Sequence, residues 1–229
     1  MKFGEKIVEG MFLERPNRYL ARVEIDGKET LAHVPAPGRL PELLLENRKI
    51  MLVYQPSEKR KTDYTLVLVK HGSTWVSVFP AFANSLVSNA LIEETLPFLN
   101  GYSSFKSEVK AGNSRFDFHL NFSKKEAYVE VKSVSLVEDG IGKFPDAPTK
   151  RGIKHVQELI EFSEKGYRAA VLFISQRQDT QSITCNDTID PVFGKWLRKA
   201  KNKGVELYGM NCKVTPTTIS LNKVIEVIL

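Results

Sequence analysis

Three polar residues in the middle of the chain have the types and the spacing that could hold a metal ion beside a phosphate. Asp117 lies between two phenylalanines, and Glu130 and Lys132 lie two residues apart in an alternating segment. Residues two apart on a strand share one face of a sheet, so neighbouring strands would bring all three side chains to one edge. Carboxylates suit hard divalent cations, and an ammonium can orient water or stabilise charge on a phosphate. The group predicts metal-dependent phosphodiester hydrolysis; the alternative is an ordinary solvated strand face.

Two further segments could add to this site. Glu108, in the preceding segment, is a candidate third metal ligand, and an ordinary surface position is the alternative. On the helix predicted to follow, Arg151 and His155 lie four residues apart and are therefore neighbours, with Lys154 beside them. We expect His155 to take part in the chemistry and Arg151 and Lys154 to bind the phosphate backbone. A solvated helix face with a structural histidine is the alternative.

The elements that would position these residues belong to an α/β pattern. The predicted order is helix 83–96, strands 103–110, 115–122 and 127–136, helix 149–165, strand 168–175, helix 190–203 and a final core strand 205–208. Thr149 is a candidate N-cap and Gly166 a candidate stop for the middle helix. Pro191 suits the first position of the last helix.

The first eighty residues predict short strands alone. The predicted strands are 7–13, 19–25, 30–34, 49–54, 65–70 and 74–79. Asp26-Gly27 predicts a tight hairpin turn. Six short segments are close to the five strands of a small barrel of the oligonucleotide-binding (OB) type, which is the predicted fold, with a half-open sheet as the alternative. We place the boundary near Pro80, so that residues 1–80 form the barrel and residues 81–229 the α/β domain.

Cations lie beside aromatic residues in the barrel segment. Cations meet phosphates and aromatic rings stack on bases, so this combination suits nucleic acid. The candidate DNA contacts outside the predicted helix are Arg15, Arg18, Tyr19, Arg22, His33, Arg39 and Arg115. The alternative for each cation is a solvated surface position.

The bulk properties limit the class of protein. The chain has 229 residues, of which 42% are hydrophobic, and its net charge of +6 suits a polyanionic partner without deciding one. Cys185 and Cys212 form no Cys-x-x-Cys pair, so we expect no zinc site and two free thiols. No signal peptide or membrane-spanning apolar run is visible. We therefore expect a cytoplasmic protein with no membrane partner; a homodimer is left open.

The Asp…Glu-x-Lys spacing resembles the core of PD-(D/E)XK nucleases, in which an Asp and then Glu-x-Lys lie on neighbouring strands before a helix. Longer blocks resemble the sugar fermentation stimulation protein family over nearly the whole chain. These blocks are Ala32-His33-Val34-Pro35 with Gly38-Arg39, Ser114-Arg115-Phe116-Asp117-Phe118, Glu130-Val131-Lys132-Ser133-Val134-Ser135-Leu136, Phe144-Pro145-Asp146-Ala147, Arg151-Gly152 with Lys154-His155, and Ile189-Asp190-Pro191. The family usually has Asn-Thr where this chain has Ala36-Pro37, so we expect that loop to bind DNA through fewer hydrogen bonds.

The resemblance implies an OB barrel followed by a PD-(D/E)XK nuclease-like α/β domain, DNA binding, and a metal site at Asp117, Glu130 and Lys132. It also implies a role in regulating sugar (maltose) metabolism. Two functions follow. The first is a DNA-binding protein with an Mg²⁺- or Mn²⁺-dependent phosphodiesterase site, acting as an endonuclease or exonuclease. The second is a non-catalytic DNA-binding regulator that retains the nuclease fold.

Overall fold

The computed structural model describes residues 1–36 and 38–229, which form two sheets. Residue 37, and with it part of the loop expected to bind DNA less well, lies outside the described residues. The strands of the first sheet are β1 (Ile7–Asn17), β2 (Leu20–Ile25), β3 (Lys28–His33), β4 (Arg48–Tyr54), β5 (Tyr64–His71) and β6 (Thr74–Ser77). Parallel pairing of β3 with β5 closes the first five strands into a barrel, and β6 extends β5 on the outside.

Local sequence explains the barrel well. Asp26 and Gly27 both have positive φ, as the predicted two-residue hairpin requires. Ala21, Val23 and Ile25 alternate with exposed residues and point into the barrel core. The fourth strand differs because it is buried on both faces, which means that the outside of the barrel is covered as well.

The second sheet carries the α/β half. Its elements are α1 (Ala81–Ile92), β7 (Ser104–Ala111), β8 (Ser114–Asn121), β9 (Glu126–Val134), β10 (Val137–Glu138), β11 (Ile141–Phe144), α2 (Lys150–Glu164), β12 (Arg168–Ser175), β13 (Ser182–Cys185), α3 (Pro191–Asn202), β14 (Glu206–Val214) and β15 (Ile219–Ile228). The sheet order is β10-β11-β13-β15-β14-β12-β9-β8-β7. A helix, three antiparallel strands, a crossover helix and a strand parallel to β9 give the predicted nuclease-like arrangement, and the fold class is confirmed.

The sequence-based prediction was wrong for one side of this sheet and for the end of α1. Strands β10, β11, β13 and β15 were not predicted, and β14 is neither short nor last. The first three have two to four residues, too few for a period to stand out. In β15 the exposed run Asn222-Lys223-Val224 interrupts the alternation. The first helix ends at Ile92 instead of 96, where Glu94 takes a positive φ and turns the chain.

One hydrophobic cluster joins the two sheets. Met51, Val53, Val67 and Leu68 on the outside of the barrel pack in the same cluster as residues of α1, β9, β12 and β14. A second cluster lies between the large sheet and the helices α2 and α3, and a third fills the barrel. The barrel and the α/β half are therefore packed against each other through apolar side chains.

Two smaller predictions concern the cysteines and the membrane. Cys185 and Cys212 are both buried and free, as expected. Among residues 1–36 and 38–229, no helix combines the length and the apolar character needed to span a bilayer.

Candidate metal centre between two parting strands

Asp117 lies where β8 and β9 part. The ladder between these strands runs from Asn121 opposite Glu126 to Phe118 opposite Val129 and stops there. Beyond that point the backbone N–H of Val131 donates to Oδ2 of Asp117 at 2.7 Å. The Asp117 side chain thus accepts the hydrogen bond that a backbone carbonyl of β8 would accept in a continued ladder. Phe118 packs in the cluster shared with the barrel, whereas Phe116 packs beneath α2. On a regular strand both would face one core, so the strand changes face at Asp117.

The second oxygen of Asp117 is held by the first helix. Asn84 of α1 donates its amide to Oδ1 at 2.6 Å. Burial, together with the neighbouring charge of Glu130, raises the pKa of Asp117 to about 6, against the opposing effects of the Val131 and Asn84 hydrogen bonds and of Lys132. Asn84 was not predicted from the sequence; the signal available was a polar residue within the apolar run of α1.

Glu130 has one engaged oxygen and one free oxygen. Its Oε1 accepts a hydrogen bond from Nζ of Lys132 at 2.6 Å and also contacts Nδ1 of His155. Its Oε2 is buried and has no hydrogen-bond partner within the described residues. Burial alone would raise the pKa of Glu130, but the hydrogen bond from His155 and the charge of Lys132 hold it below its ordinary value.

Helix α2 brings His155 and Arg151 to this cluster. The helix begins as predicted, because Oγ1 of Thr149 accepts a hydrogen bond from the backbone N–H of Gly152. His155 is 3% exposed, and its Nε2 lies 3.4 Å from Nε of Arg151. An ionised Glu130 can only accept, so Nδ1 of His155 carries the proton and Nε2 accepts from Arg151. Arg151, His155 and Glu130 thus form one chain of contacts.

The structure places Lys154 and Glu108 nearer the surface. Lys154 donates to the backbone carbonyl of Asn113 at 2.7 Å, and half of its side chain is exposed. Glu108 has a positive φ and lies in register between the β7–β8 pairs that flank Asp117. Its exposed carboxylate lies 3.7 Å from Arg115. The role of Glu108 as a third ligand therefore stays a prediction, and within the described chain no hydrogen bond links it to Glu130.

The donor set fits a hard divalent cation. The described part of the chain holds no group of three or more His, Cys, Asp or Glu side chains arranged for a metal. Magnesium commonly takes only one or two protein carboxylates, with water and phosphate as its other ligands. A bound cation would give the buried Oε2 of Glu130 the partner that it lacks. It would also favour the ionised form of Asp117, whose pKa is raised without it.

Two arginines of the barrel that were predicted to contact DNA have partners within the chain. Nη1 and Nη2 of Arg15 donate to four backbone carbonyls, at 2.6 to 2.9 Å. The four carbonyls belong to residues 18, 36, 38 and 39, and the contact of Arg15 with DNA stays a prediction. Arg22 lies 3.1 Å from Glu14 and 3.7 Å from Glu29. Both carboxylates are exposed, as is Arg22 itself, and the contact of Arg22 with DNA stays a prediction.

The other predicted barrel residues border three openings. Tyr19 is 51% exposed, and the Arg18 guanidinium lies 5.2 Å from its ring centroid. Tyr19 and His33 line a groove of about 460 Å³ together with Arg60 and Lys61, which were not predicted from the sequence. Both cations lie in the loop between β4 and β5. Closure of the barrel brings this loop close to the β1–β2 turn, and no local pattern in the sequence indicates that contact.

The second opening is a cleft between the barrel and the α/β half. It has a volume of about 450 Å³, and its lining includes Arg18 from the barrel, Ser133 and Ser135 after the Glu-x-Lys segment, and Thr149 at the start of α2. Its described lining includes none of Asp117, Glu130, Lys132, Arg151 and His155. Arg39 borders a neighbouring cavity with Glu42 and Asp146.

Comparison with known proteins gave matches across both halves. The family model described as the sugar fermentation stimulation protein RE domain matches residues 81–218, and the SfsA N-terminal OB domain matches residues 13–78. A sugar fermentation stimulation protein homolog of Caldanaerobacter subterraneus is 42% identical over 223 residues, which is 97% of each chain. A homolog of Clostridium perfringens is 40% identical over 230 residues, covering all of both chains.

One solved structure resembles the whole molecule. The structure of Pyrococcus furiosus SfsA in complex with Ca²⁺ superposes with a TM-score of 0.89 at 27% sequence identity. The match covers 100% of this chain and 98% of that one.

Proposed function

Because the chain belongs to the sugar fermentation stimulation protein family, with an OB domain before an RE domain, we propose that it binds DNA and hydrolyses phosphodiester bonds with a divalent cation. The observation that carries this proposal is the cluster of Asp117, Glu130 and Lys132 where β8 and β9 part. The unpartnered Oε2 of Glu130 supports it most directly.

The carboxylates of Asp117 and Glu130 would hold Mg²⁺ or Mn²⁺. Bound there, the cation would supply Lewis-acid polarisation of a phosphate oxygen and a more acidic water. The relative from Pyrococcus furiosus was solved with Ca²⁺, which also prefers oxygen ligands. Asn84 and the backbone N–H of Val131 fix the orientation of Asp117 before any ligand arrives.

Lys132 provides the positive charge of the reaction centre. Its ammonium is held against Oε1 of Glu130 and is only 12% exposed. From this position it can orient a water or stabilise charge that develops on the phosphate. His155 acts on Glu130 through Nδ1, and Arg151 extends the positive charge towards the backbone of a bound DNA.

The surface residues supply DNA binding. Arg18, Tyr19 and His33 border the groove and the cleft, and Arg39, Arg115 and Lys154 add positive charge at partly exposed positions. The whole chain carries a net charge of +6. Such a surface attracts phosphates without reading sequence, which suits a nuclease that acts on DNA of many sequences.

A non-catalytic regulator of sugar metabolism is the second candidate. One observation favours it: Oε1 of Glu130 is already occupied by Lys132 and His155, which leaves a single free oxygen on that residue. In that case the cluster would hold the parted strands together, and DNA binding alone would be the function.

The division of the chain and its location are also proposals. We place the boundary at Pro80, which immediately precedes α1 and lies between the spans matched by the two family models. We place the protein in the cytoplasm, because its proposed substrate is DNA and bacteria such as those of its relatives keep their DNA there.

Cleavage assays with Lys132→Ala would test the proposal. The variant and wild type are incubated with single- and double-stranded DNA, linear and circular, in Mg²⁺, Mn²⁺ or EDTA. We expect metal-dependent cleavage by wild type, at least roughly 100-fold slower cleavage by Lys132→Ala, and similar DNA affinity for both in EDTA. Cutting of closed circles would identify an endonuclease.

Lys124→Ala is the matched control, because Lys124 is an exposed lysine in the β8–β9 loop. It should leave cleavage unchanged. Equal cleavage by Lys132→Ala and wild type would refute the assigned site. If wild type binds DNA but cleaves none of these substrates with either metal, the regulator is the better description.

A further inference from the structure

We infer that Asp190 is a positioning residue for the candidate metal centre, because its carboxylate fixes the start of the helix that carries Arg151 and His155. This inference rests on the proposed function and concerns the same site. Asp190 acts through α2, without contact with metal or substrate. It gives a role to two segments that the metal centre does not use, Phe144-Pro145-Asp146-Ala147 and Ile189-Asp190-Pro191.

The carboxylate of Asp190 holds the starts of two helices. Its Oδ1 accepts a hydrogen bond from the backbone N–H of Phe193 at 2.9 Å, which caps α3. Its Oδ2 accepts from the backbone N–H of Thr149 at 2.8 Å, across 41 residues of chain. Thr149 is itself the N-cap of α2, because its Oγ1 accepts from the backbone N–H of Gly152 at 3.0 Å. One side chain, on a residue that is 6% exposed, therefore joins the N-terminal ends of α2 and α3.

A carboxylate suits position 190 because the two N–H donors belong to different segments. It has two oxygens that both accept hydrogen bonds, and its negative charge is favourable at the N-terminal ends of helices. Serine caps a single helix about as well as aspartate does, but its one oxygen on a shorter side chain can serve α3 alone. The contact with Thr149 therefore requires more than the cap of α3 does.

The loop before α3 holds the segment before α2 at a second point. Asn186 is buried, and its Nδ2 donates to the backbone carbonyl of Pro145 at 3.0 Å. Its backbone N–H donates to the carbonyl of Phe144 at 2.8 Å. In the first turn of α2, a Cβ on Gly152 would lie 3.4 Å from the ring of Phe193, so the small residue lets α3 pack closely there. The loop and α3 thus fix α2 over its whole N-terminal end.

The end of α2 that is held in this way is the end that contacts the metal centre. Arg151 lies in the first turn, and its Nε lies 3.4 Å from Nε2 of His155, one turn later. Nδ1 of His155 contacts Oε1 of Glu130 on strand β9. Because the sheet carries Glu130 and the helix carries His155, their contact depends on where α2 begins. A displacement of about 1 Å is enough to slow an enzyme by about 100-fold.

The test compares Asp190→Ser and Asp190→Ala in the full chain. Serine keeps the cap of α3 but leaves the N–H of Thr149 without its acceptor, whereas alanine removes both contacts. Nuclear magnetic resonance with ¹⁵N-labelled histidine shows which ring nitrogen of His155 carries the proton, and His155→Gln assigns its signals. In EDTA we expect wild type to have the proton on Nδ1 alone, and both Asp190 variants to have a mixture of the two tautomers.

Cleavage supplies a second readout. In the metal with which wild type cleaves DNA, both Asp190 variants should have a roughly 10- to 100-fold lower kcat and a KM changed less than about twofold, because the surface that binds DNA is not altered. Asp187→Ala is the matched control, since it removes a carboxylate of the same loop that lies 3.0 Å from Nη1 of Arg198 on α3. It should change neither the tautomer of His155 nor kcat. Thermal unfolding checks that each variant is folded; Asp190→Ser alone suffices if Asp190→Ala is not.

The outcomes separate this inference from the proposed function. A wild-type tautomer or a wild-type kcat in the Asp190 variants would overturn the positioning role and leave the metal centre standing. Equal effects of Asp187→Ala would also overturn it, because any loss of a carboxylate from the loop would then be enough. If wild type neither binds metal nor cleaves DNA, the proposed function is overturned, and the tautomer of His155 still decides whether Asp190 positions that side chain.

Discussion

Replacing Asp117 by asparagine should make the stability of the metal-free protein less sensitive to pH. Burial and the charge of Glu130 raise the pKa of Asp117 from its ordinary 3.8 to about 6. The folded state therefore binds this proton more tightly than the unfolded state does. The resulting stabilisation is complete below pH 3.8 and is lost as the pH rises through about 6.

The size of the effect follows from the linkage. Each tenfold change in proton affinity corresponds to about 1.4 kcal/mol, so the ionised carboxylate costs about 3 kcal/mol above pH 7. Asparagine cannot ionise and avoids this cost. It can satisfy only one of the two donors, Val131 N–H and the Asn84 amide, and that loss of about 1–3 kcal/mol does not vary with pH. The decisive quantity is therefore the difference between the two proteins as a function of pH.

Urea unfolding in EDTA measures this difference. Fluorescence follows Trp75 in the barrel half and Trp196 in the α/β half. Between pH 4 and pH 7.5, we expect wild type to lose about 2–3 kcal/mol relative to Asp117→Asn. Mg²⁺ or Mn²⁺ at 100 times its dissociation constant should then stabilise wild type by about 2.7 kcal/mol at pH 7.5, less below pH 6, and the variant far less. Parallel pH curves, or equal stabilisation of both proteins by metal, would refute the reasoning.

Three further outcomes can be checked on the metal-free protein. Arg15→Ala removes four hydrogen bonds to backbone carbonyls and should lower the free energy of unfolding by about 2–4 kcal/mol. It should leave the salt dependence of DNA binding unchanged. An unchanged stability with a weaker salt dependence would instead identify Arg15 as a phosphate contact. Burial raises the pKa of Glu42, whose carboxylate oxygens lack partners in the described chain, so Glu42→Gln should stabilise the fold at pH 7, by about 1 kcal/mol or less, and not at pH 4. A fragment of residues 1–80 would expose Met51, Val53 and Val67 and should aggregate, while the whole chain unfolds in one transition by both tryptophans.

Local patterns predicted the framework of the molecule. The Asp26-Gly27 turn, the Thr149 cap and the continuous apolar strand β12 are each determined within a few residues. Period-2 spacing brought Glu130 and Lys132 to one face, and their side chains are in contact. The four-residue spacing of Arg151 and His155 likewise gave a pair of neighbours on α2.

The features that sequence reasoning missed depend on contacts between distant segments. Phe116 and Phe118 alternate as residues of one face would, so nothing local indicates that the strand changes face between them. Asn84 reaches Asp117 across 33 residues. The four carbonyls around Arg15 come together only when the loop near residue 38 folds back on the barrel. The charge of an arginine alone does not indicate that it has such partners within the chain.

The apolar cluster that joins the two halves cannot form completely until late in synthesis on the ribosome. The barrel is complete at Ser77, but β14, which supplies part of that cluster, begins at Glu206. At 5–20 residues per second, this interval lasts roughly 6 to 26 s. During that time the nascent barrel carries an uncovered apolar flank, and α1, translated next, is the first segment able to shelter it. Codon changes that slow elongation between residues 93 and 206 should therefore lower the yield of soluble protein while leaving the finished molecule unaltered.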